Sequence, residues 1–283
     1  MPELPEIETA RRGLTPLLNG RRIEGWTVRN ASLRWPVSIP AQLQGRRIVA
    51  VRRRGKYLIL EVEGRPGEVA GGLILHLGMS GNLRVVTSDT PARKHDHVDI
   101  ELSGSRLLRL NDPRRFGSVH WQPHPVDAHW LLAKLGLEPL SPEFSGAYLK
   151  DRGRGRRVAV KNLIMDSQVV VGVGNIYANE ALFLAGIRPT VRAGRVTRMG
   201  YDRLAGEIRQ VLVQAIDMGG TTLRDFVNQD GKPGYFKQSL NVYGRAGMPC
   251  SVCRTPLKSI RMNQRATVFC PKCQSAQSFS GRR

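Results

Sequence analysis

All four cysteines of the sequence lie near its C-terminal end, in two pairs. Cys250 and Cys253 form the first pair and Cys270 and Cys273 the second, so the spacing is C-x2-C-x16-C-x2-C. Two such pairs supply the four thiolates of a tetrahedral zinc site and leave no position open for water or substrate. Two disulfides are the alternative, but the acidic, proline-containing first residues do not resemble a secretion signal. The pattern predicts one structural Zn2+ ion and no organic cofactor.

The segment between the cysteine pairs carries a cationic residue in a defined place. Residues 261–269 predict a β-hairpin with Arg265 near its tip. A guanidinium group offers a planar fork of N–H donors that fits a phosphate group. The hairpin therefore predicts a phosphate contact on a rigid support.

The charge of the chain points to a polyanionic partner. Lys and Arg number 44 and Asp and Glu 23, which gives a formal net charge of +21 over 283 residues. Phosphates neutralised by these cations would release counterions, although a merely solvated basic surface is the alternative. Charge alone does not separate DNA from RNA or from an anionic membrane surface. The hydrophobic fraction of 41% excludes a disordered chain, and no apolar run approaches the ~18 residues of a membrane-spanning helix.

The N-terminal half predicts one helix followed by strands. Apolar residues recur at helical spacing over residues 7–18. Beyond this helix, short β-rich runs are separated by glycine-containing breaks and predict a β-sandwich built from hairpins. The runs cover residues 47–52, 57–62, 73–77, 98–102 and 106–110.

From about residue 133 the pattern becomes helical. One candidate helix ends at Asp166, a second covers residues 176–183 and a third residues 201–218. The G-V-G sequence at 172–174 favours either a phosphate-binding helix N-terminus or an ordinary turn between helices. Residues 219–235 are rich in glycine and predict a long functional loop.

Six segments and the cysteine pairs, in this order, resemble the bacterial formamidopyrimidine-DNA glycosylase family. The segments are 2–6 (PELPE), 55–58 (GKYL), 76–81 (HLGMSG), 94–97 (KHDH), 112–117 (DPRRFG) and 172–177 (GVGNIY). The resemblance reaches to about Gln274 and implies an α+β multidomain fold. It implies an N-terminal helix and β-sandwich over 1–132, a helix–two-turn–helix DNA-binding domain over 133–240, and a zinc finger with a basic tail over 241–283.

The resemblance also implies an activity. Family members are bifunctional base-excision-repair enzymes that remove 8-oxoguanine and formamidopyrimidines and then cleave the abasic strand by β,δ-elimination through a Schiff base. The implied partner is double-stranded DNA that contains oxidised purines or abasic sites. We expect a monomer that acts in the bacterial cytoplasm, at the nucleoid, without membrane contact.

Five residues match the catalytic positions of the family. Pro2, freed of the initiator methionine, would be the nucleophile, because a terminal amine with a pKa of about 7.7–8.0 is partly neutral at pH 7. Glu3 would assist base departure and sugar-ring opening, and Glu6 would organise the site, although acids in a first helical turn also complement the helix dipole. Lys56 would contact phosphate and donate the proton in β-elimination. Arg265 would clamp phosphate and stabilise the group that leaves in δ-elimination.

Seven residues match DNA-contacting positions. Met79, Arg114 and Phe116 would fill the gap left by an everted nucleotide, with core packing or a surface ion pair as the alternatives. A metal pair of His95 with His97 is a further alternative, which the resemblance disfavours. The other matching positions are His95, Arg156, Lys161 and Asn175.

The long loop matches the segment that covers the everted base. The Thr221 carbonyl would accept a hydrogen bond from the N7 hydrogen of 8-oxoguanine, which guanine lacks. Backbone amides in the following residues would bind the O6 atom. These residues are Leu223, Arg224, Asp225 and Phe226.

Two other functions stay open at this point. An endonuclease VIII-like enzyme would share the fold and the proline chemistry but act on oxidised pyrimidines, whereas segments 2–6 and 112–116 favour the purine branch. A non-catalytic zinc-ribbon protein would bind DNA without cleaving it. Gln264 and Phe269 depart from the glycine and tyrosine common in the family, which leaves the conformation of the hairpin tip open.

Overall fold

The computed structural model describes residues 2–64, 71–219 and 240–275, which form two compact units. Among the described residues, the first unit contains the chain up to Lys134 together with Met218 and Gly219. The second contains Leu135–Asp217 and the C-terminal residues from 240 onward. The predicted domain borders at residues 132 and 240 stay predictions.

Helix α1, Leu4–Leu18, opens the first unit. Glu3 and Glu6 form a reciprocal capping box, in which the side chain of each residue accepts a hydrogen bond from the backbone N–H of the other. Pro5 lies in the first turn, where a missing N–H breaks no helical hydrogen bond. The helix predicted over 7–18 is confirmed, and it starts earlier because the capping residues precede the apolar repeat.

Eight strands in the described residues build two antiparallel sheets, ordered β1-β6-β7-β5 and β2-β3-β4-β8. The strands are β1 Ile23–Val28, β2 Ile48–Arg54, β3 Tyr57–Val62, β4 Gly71–His76, β5 Asn82–Thr87, β6 Asp96–Leu102, β7 Arg106–Asn111 and β8 Ser118–Pro123. The sequence predicted five of them and missed β1, β5 and β8. All three are edge strands, and an edge strand needs fewer apolar residues than a central one.

The two sheets pack around one apolar core, to which α1 contributes its buried face. Leu58 and Leu60 contribute from one sheet and Leu108 and Leu110 from the other, and all four are buried. Each such leucine stabilises the fold by about 1.5–3 kcal/mol relative to an exposed one. The predicted β-sandwich is confirmed, and its turns are left at the surface to carry functional side chains.

The second unit is mainly helical. Its helices are α2 Gly146–Gly153, α3 Val160–Met165, α4 Asn175–Leu184 and α5 Arg198–Asp217. Three of them match the predicted helices within a few residues. The sequence missed α2, a short and polar helix whose first turn is closed by the Ser145 hydroxyl, which accepts from Tyr148 N–H at 3.2 Å.

The predicted hairpin is present in the second unit. Strands β9, Lys258–Met262, and β10, Arg265–Phe269, are antiparallel. Asn263 and Gln264 form the tip, and both have left-handed backbones with φ of 45° and 60°. This is the conformation that a two-residue hairpin turn requires, so the tip forms without the glycine common in the family. No helix among the described residues has both the length and the apolar character needed to cross a bilayer.

Candidate active site and metal centre

Three of the predicted catalytic residues lie at the start of α1. Pro2 directly precedes the helix cap, Glu3 is the cap and is 3% exposed, and Glu6 is fully buried. The Glu6 carboxylate accepts a hydrogen bond from Glu3 N–H at 2.8 Å. The positive end of the helix dipole favours negative charge here. The local sequence therefore holds two carboxylates immediately beside Pro2.

Lys56 lies in the tight turn between β2 and β3, after Gly55 with its φ of 56°. Arg53 Nη1 donates to the Gly55 carbonyl at 3.1 Å, and Arg53 Nε donates to Glu8 Oε2 at 3.2 Å. Burial raises the pKa of Glu8, but hydrogen bonds and charges from Arg11 and Arg53 outweigh it and hold this pKa below its usual value. Because Glu8 belongs to α1, one ion pair joins that helix to the Lys56 turn.

The predicted duplex-probing residues lie on two loops of the first unit. Met79 is half-buried between β4 and β5, whereas Arg114 and Phe116 are exposed between β7 and β8. Arg114 Cζ lies 5.2 Å from the centre of the Phe116 ring. Phe116 is 41% exposed, so this side chain is available to a ligand.

A buried aspartate joins these two loops. Asp112 Oδ1 accepts from the Ser80 hydroxyl at 2.9 Å, and Asp112 Oδ2 accepts from Gly117 N–H at 2.7 Å. Arg115, between the two exposed probes, has a φ of 56°. Sequence reasoning gave Asp112 no role. Its place in the 112–117 motif was the available signal, but its partner Ser80 lies 32 residues away along the chain.

His76 supports the first of these loops. Gly78 N–H donates to His76 Nδ1 at 3.1 Å. Burial, together with the charges of Lys56 and Arg34, lowers the pKa of His76 to about 4. The ring is therefore neutral at pH 7 and keeps Nδ1 as an acceptor.

His95 and His97 stand close together but have different surroundings. Their ring centroids are 6.1 Å apart. His95 is half-exposed with a left-handed φ of 72°, whereas His97 is buried with Nε2 2.9 Å from the Asp112 carbonyl oxygen. Among the described residues, a cluster of three or more ligating side chains forms at the cysteines and does not include this pair.

The four cysteines converge in the second unit. Their Sγ atoms lie within 4.8 Å of one another, with Cys253 and Cys270 at 3.4 Å and Cys250 and Cys273 at 3.9 Å. Tetrahedral Zn2+ with Zn–S bonds of about 2.3 Å separates its sulfurs by about 3.8 Å. The cluster therefore fits one structural zinc ion.

Three thiols of the cluster differ in their pKa values. The Thr255 hydroxyl, 3.3 Å from Cys253 Sγ, lowers the pKa of Cys253 to about 6. Burial raises the pKa of Cys270 and of Cys273. Zn2+ binding displaces such protons, because the thiolate is the ligand.

Three predicted DNA-contacting or catalytic residues meet on one side of the second unit. Arg265 is exposed at the start of β10, Asn175 opens α4, and Lys161 on α3 is 1% exposed. Lys161 Nζ donates to Asn175 Oδ1 at 2.7 Å. A cavity of about 320 Å³ is lined by both Lys161 and Arg265. Burial of Lys161 within this arrangement was not expected from the sequence.

The remaining predicted residues are placed as follows. Arg156 is exposed after α2, with Nη1 3.9 Å from Asp166 Oδ2. The lesion-loop residues lie outside the described part of the chain. They are Thr221, Leu223, Arg224, Asp225 and Phe226.

Fold and cysteine cluster together define a zinc-finger protein with an N-terminal β-sandwich. Three family models match the chain. The formamidopyrimidine-DNA glycosylase N-terminal domain covers residues 1–119, the H2TH domain of the same enzyme residues 135–227, and a zinc finger found in FPG and IleRS residues 247–276.

Known proteins match the chain over nearly its full length. A formamidopyrimidine-DNA glycosylase of Marinobacter nauticus is 56% identical over 280 residues, covering 97% of this chain and all of that protein. The MutM (FPG) protein of Thermus thermophilus superposes with a TM-score of 0.86 at 37% identity, covering 96% of this chain and 98% of that one. Lactococcus lactis Fpg in complex with abasic-site DNA gives 0.87 at 32%, covering 96% and 99%. The chain belongs to the formamidopyrimidine-DNA glycosylase family.

Proposed function

We propose that this protein is a base-excision-repair DNA glycosylase and AP lyase that acts on oxidised purines. It removes 8-oxoguanine and formamidopyrimidines from duplex DNA and then cleaves the abasic strand. The observation that carries the proposal is the position of Pro2 beside the buried carboxylates of Glu3 and Glu6. Membership of the family over all three matched domains supports it, as does the abasic-site DNA bound by the Lactococcus lactis relative.

Pro2 is the nucleophile of the proposed reaction. Removal of the initiator methionine converts its nitrogen from an amide into a secondary amine. This nitrogen attacks C1′, the N-glycosidic bond breaks, and the base leaves with a proton. Sugar-ring opening then gives an iminium ion that cannot discharge by losing an N–H proton and acts as an electron sink.

Two eliminations follow from this sink. Loss of a proton from C2′ expels the 3′ phosphate, and loss of a second proton, from C4′, expels the 5′ phosphate. Glu3 protonates the departing base or the ring oxygen, while Glu6 holds the Glu3 backbone. Lys56 contacts phosphate and donates the proton of the first elimination. Arg265 stabilises the negative charge of the second leaving phosphate, because a guanidinium is too weak an acid to donate its own proton.

Residues of each unit contact the DNA in this proposal. Met79, Arg114 and Phe116 fill the space of the everted nucleotide, and this offsets an extrusion cost of a few kcal/mol. Four further residues contact the phosphate backbone of the DNA or position the side chains that contact it. They are His95, Arg156, Lys161 and Asn175.

The residues that we propose to recognise the damaged base lie outside the described part of the chain. The Thr221 carbonyl accepts from the N7 hydrogen of 8-oxoguanine, and amides of 223–226 bind O6. The cellular localisation and the oligomeric state are proposals as well. The protein acts as a monomer in the bacterial cytoplasm at the nucleoid, where its thiolates stay reduced.

Borohydride trapping tests the proposal. Zinc-loaded protein, with the initiator methionine removed, is incubated with a duplex carrying 8-oxoguanine opposite cytosine and reduced during turnover. We expect a covalent protein–DNA adduct that peptide mapping places on Pro2. The matched control is protein that retains Met1, whose Pro2 nitrogen is an amide and forms no adduct.

Two results would overturn the proposal. If fully processed protein forms no adduct with an abasic-site duplex, the protein binds DNA but has no lyase activity. Faster release of thymine glycol than of 8-oxoguanine would move the substrate to oxidised pyrimidines.

A further inference from the structure

A buried lysine ties the helices of the second unit to the strand that carries Arg265. Lys161 Nζ lies 2.6 Å from Thr267 Oγ1, 2.7 Å from Asn175 Oδ1 and 3.4 Å from the Ala266 carbonyl oxygen. Lys161 is 1% exposed and Thr267 is fully buried. The ammonium group donates to each of these oxygens, and hydrogen bonds from a charged donor are the stronger kind.

The same strand is held at its backbone by α4. Asn175 Nδ2 donates to the Ala266 carbonyl at 3.0 Å. One turn further along α4, Asn179 Oδ1 accepts from Val268 N–H at 3.1 Å. Three consecutive residues of β10 are thus fixed by side chains of α3 and α4, directly after Arg265.

These contacts are separate from the metal centre. The zinc-ligating Cys250 and Cys253 precede β9, and Cys270 and Cys273 follow β10, so the ion closes the base of the hairpin. Arg265 lies at the opposite end of β10, next to the left-handed tip. The zinc site thus lies at the end of the hairpin away from Arg265, whereas the Lys161 network contacts β10 directly after Arg265, on a strand that also pairs with β9.

We propose that Thr267 is a positioning residue for Arg265. Its hydroxyl accepts a hydrogen bond from the Lys161 ammonium and so fixes the position and orientation of β10. The Arg265 guanidinium is thereby placed to contact the leaving phosphate. Thr267 touches no substrate and acts through Arg265. This assignment rests on the proposed function, in which Arg265 serves the second elimination.

The side chain of Thr267 suits this role. Valine has nearly the same shape but no hydroxyl, so Thr267→Val leaves the buried ammonium one acceptor short. Serine keeps the hydroxyl and loses one methyl group. The pair of variants separates the hydrogen bond from the packing of the strand.

The test compares Thr267→Val, Thr267→Ser and a control, Thr27→Val, on β1 of the first unit. Thr27 is an exposed strand threonine whose hydroxyl donates to Glu101. Each protein is assayed in single turnover for base release, borohydride trapping and the ratio of δ- to β-elimination product. Zinc content and thermal unfolding are measured on the same samples.

We expect Thr267→Val to slow δ-elimination about tenfold, since 1.4 kcal/mol is a factor of ten and one charged hydrogen bond is of that order. Base release, trapping and zinc content stay at the wild-type level. Thr267→Ser restores most of the δ-product, and Thr27→Val changes nothing. A second readout is binding to an uncleavable abasic analogue. The slope of log affinity against log salt concentration should become shallower by about 0.9 in Thr267→Val, because one phosphate contact is lost.

Several outcomes would overturn the assignment. A wild-type product ratio and salt slope in Thr267→Val would show that the hydroxyl does not position Arg265. An equal loss in base release and δ-elimination, or loss of zinc, would show a purely structural role. If Thr267→Val does not fold, the Thr267→Ala variant replaces it, and the same criteria apply. Failure of wild-type trapping would instead overturn the proposed function and this assignment with it.

Discussion

At the scale of single residues, burial decides what a polar group can do. Asp112, Lys161 and Thr267 are each no more than 1% exposed, and each is hydrogen-bonded to a group distant in sequence. A buried polar group left without such a partner costs about 1–3 kcal/mol. The hydrogen-bond partners of these three buried groups are therefore needed to hold the neighbouring exposed side chains in place.

The first prediction concerns His76. Its pKa is lowered to about 4 by burial and by the neighbouring cations, against about 6.5 in an unfolded chain. Between these values the unfolded state binds more protons, so the contribution of His76 to stability is complete above pH 6.5 and is lost as the pH falls through 4.

NMR of the imidazole nitrogens should show His76 still neutral at pH 5.5. The free energy of unfolding should fall between pH 7 and pH 5, and less steeply in His76→Gln. A ring that protonates near pH 6.5 would contradict this prediction.

At the scale of secondary-structure elements, two connections fix the parts of the site. The Glu8–Arg53 pair joins α1 to the turn of Lys56, and the Lys161 network joins α3 and α4 to β10. Each connection lies inside one unit of the structure. In each case we propose that a side-chain contact positions a residue of the site, Lys56 in the first unit and Arg265 in the second.

The second prediction tests the Glu8–Arg53 connection. Arg53→Met keeps much of the side-chain volume but removes the contacts to Glu8 and Gly55. We expect β-elimination on an abasic-site duplex to slow by about tenfold, as one partly buried charged contact of about 1.4 kcal/mol is lost. Arg52→Met is the matched control, because Arg52 pairs with Glu61 at a more exposed position. Equal effects of the two variants would argue against a positioning role.

The third prediction concerns the metal. Cys270→Ser removes one zinc ligand at the end of β10. We expect loss of bound zinc, weaker DNA binding and less δ-elimination, because the hairpin that bears Arg265 loses its base. The β-sandwich should stay folded, since its core contains no residue of the zinc centre. Zinc analysis and thermal unfolding check this, with Ser251→Ala as the control; unfolding of the whole chain on zinc loss would be the contrary result.

At the scale of the whole molecule, the net charge of +21 favours a polyanionic partner, and the number of phosphates contacted sets how binding depends on salt. Each phosphate neutralised by a cation contributes about −0.9 to the slope of log affinity against log salt concentration. The fourth prediction is a steep slope that Arg265→Gln makes shallower by about 0.9. Arg114→Gln should weaken binding at unchanged slope, because its proposed partner is a base. Fluorescence anisotropy with an uncleavable duplex measures both, and a flat salt dependence of the wild-type protein would count against a phosphate-dominated interface.

Much of this architecture was predictable from local pattern. The acids of the first turn of α1, the hairpin at residues 261–269 and the two cysteine pairs are spacings of a few residues. Local backbone preference fixes such spacings. Central strands and long helices were found because burial on one or both faces imposes a period on their sequence. The edge strands β1, β5 and β8 and the polar helix α2 carry a weaker period and were missed, whereas the edge strand β2 was found.

The sequence by itself determined the class of metal, the β-sandwich, the helical second half and the family of the protein. Only the tertiary structure decided which side chains support the chemical ones. Lys161 and Thr267 are 106 residues apart, Glu8 and Arg53 are 45 apart, and Ser80 and Asp112 are 32 apart. Such pairs leave no period or spacing in the sequence, because they form only when packing of the apolar cores brings distant segments into hydrogen-bonding distance.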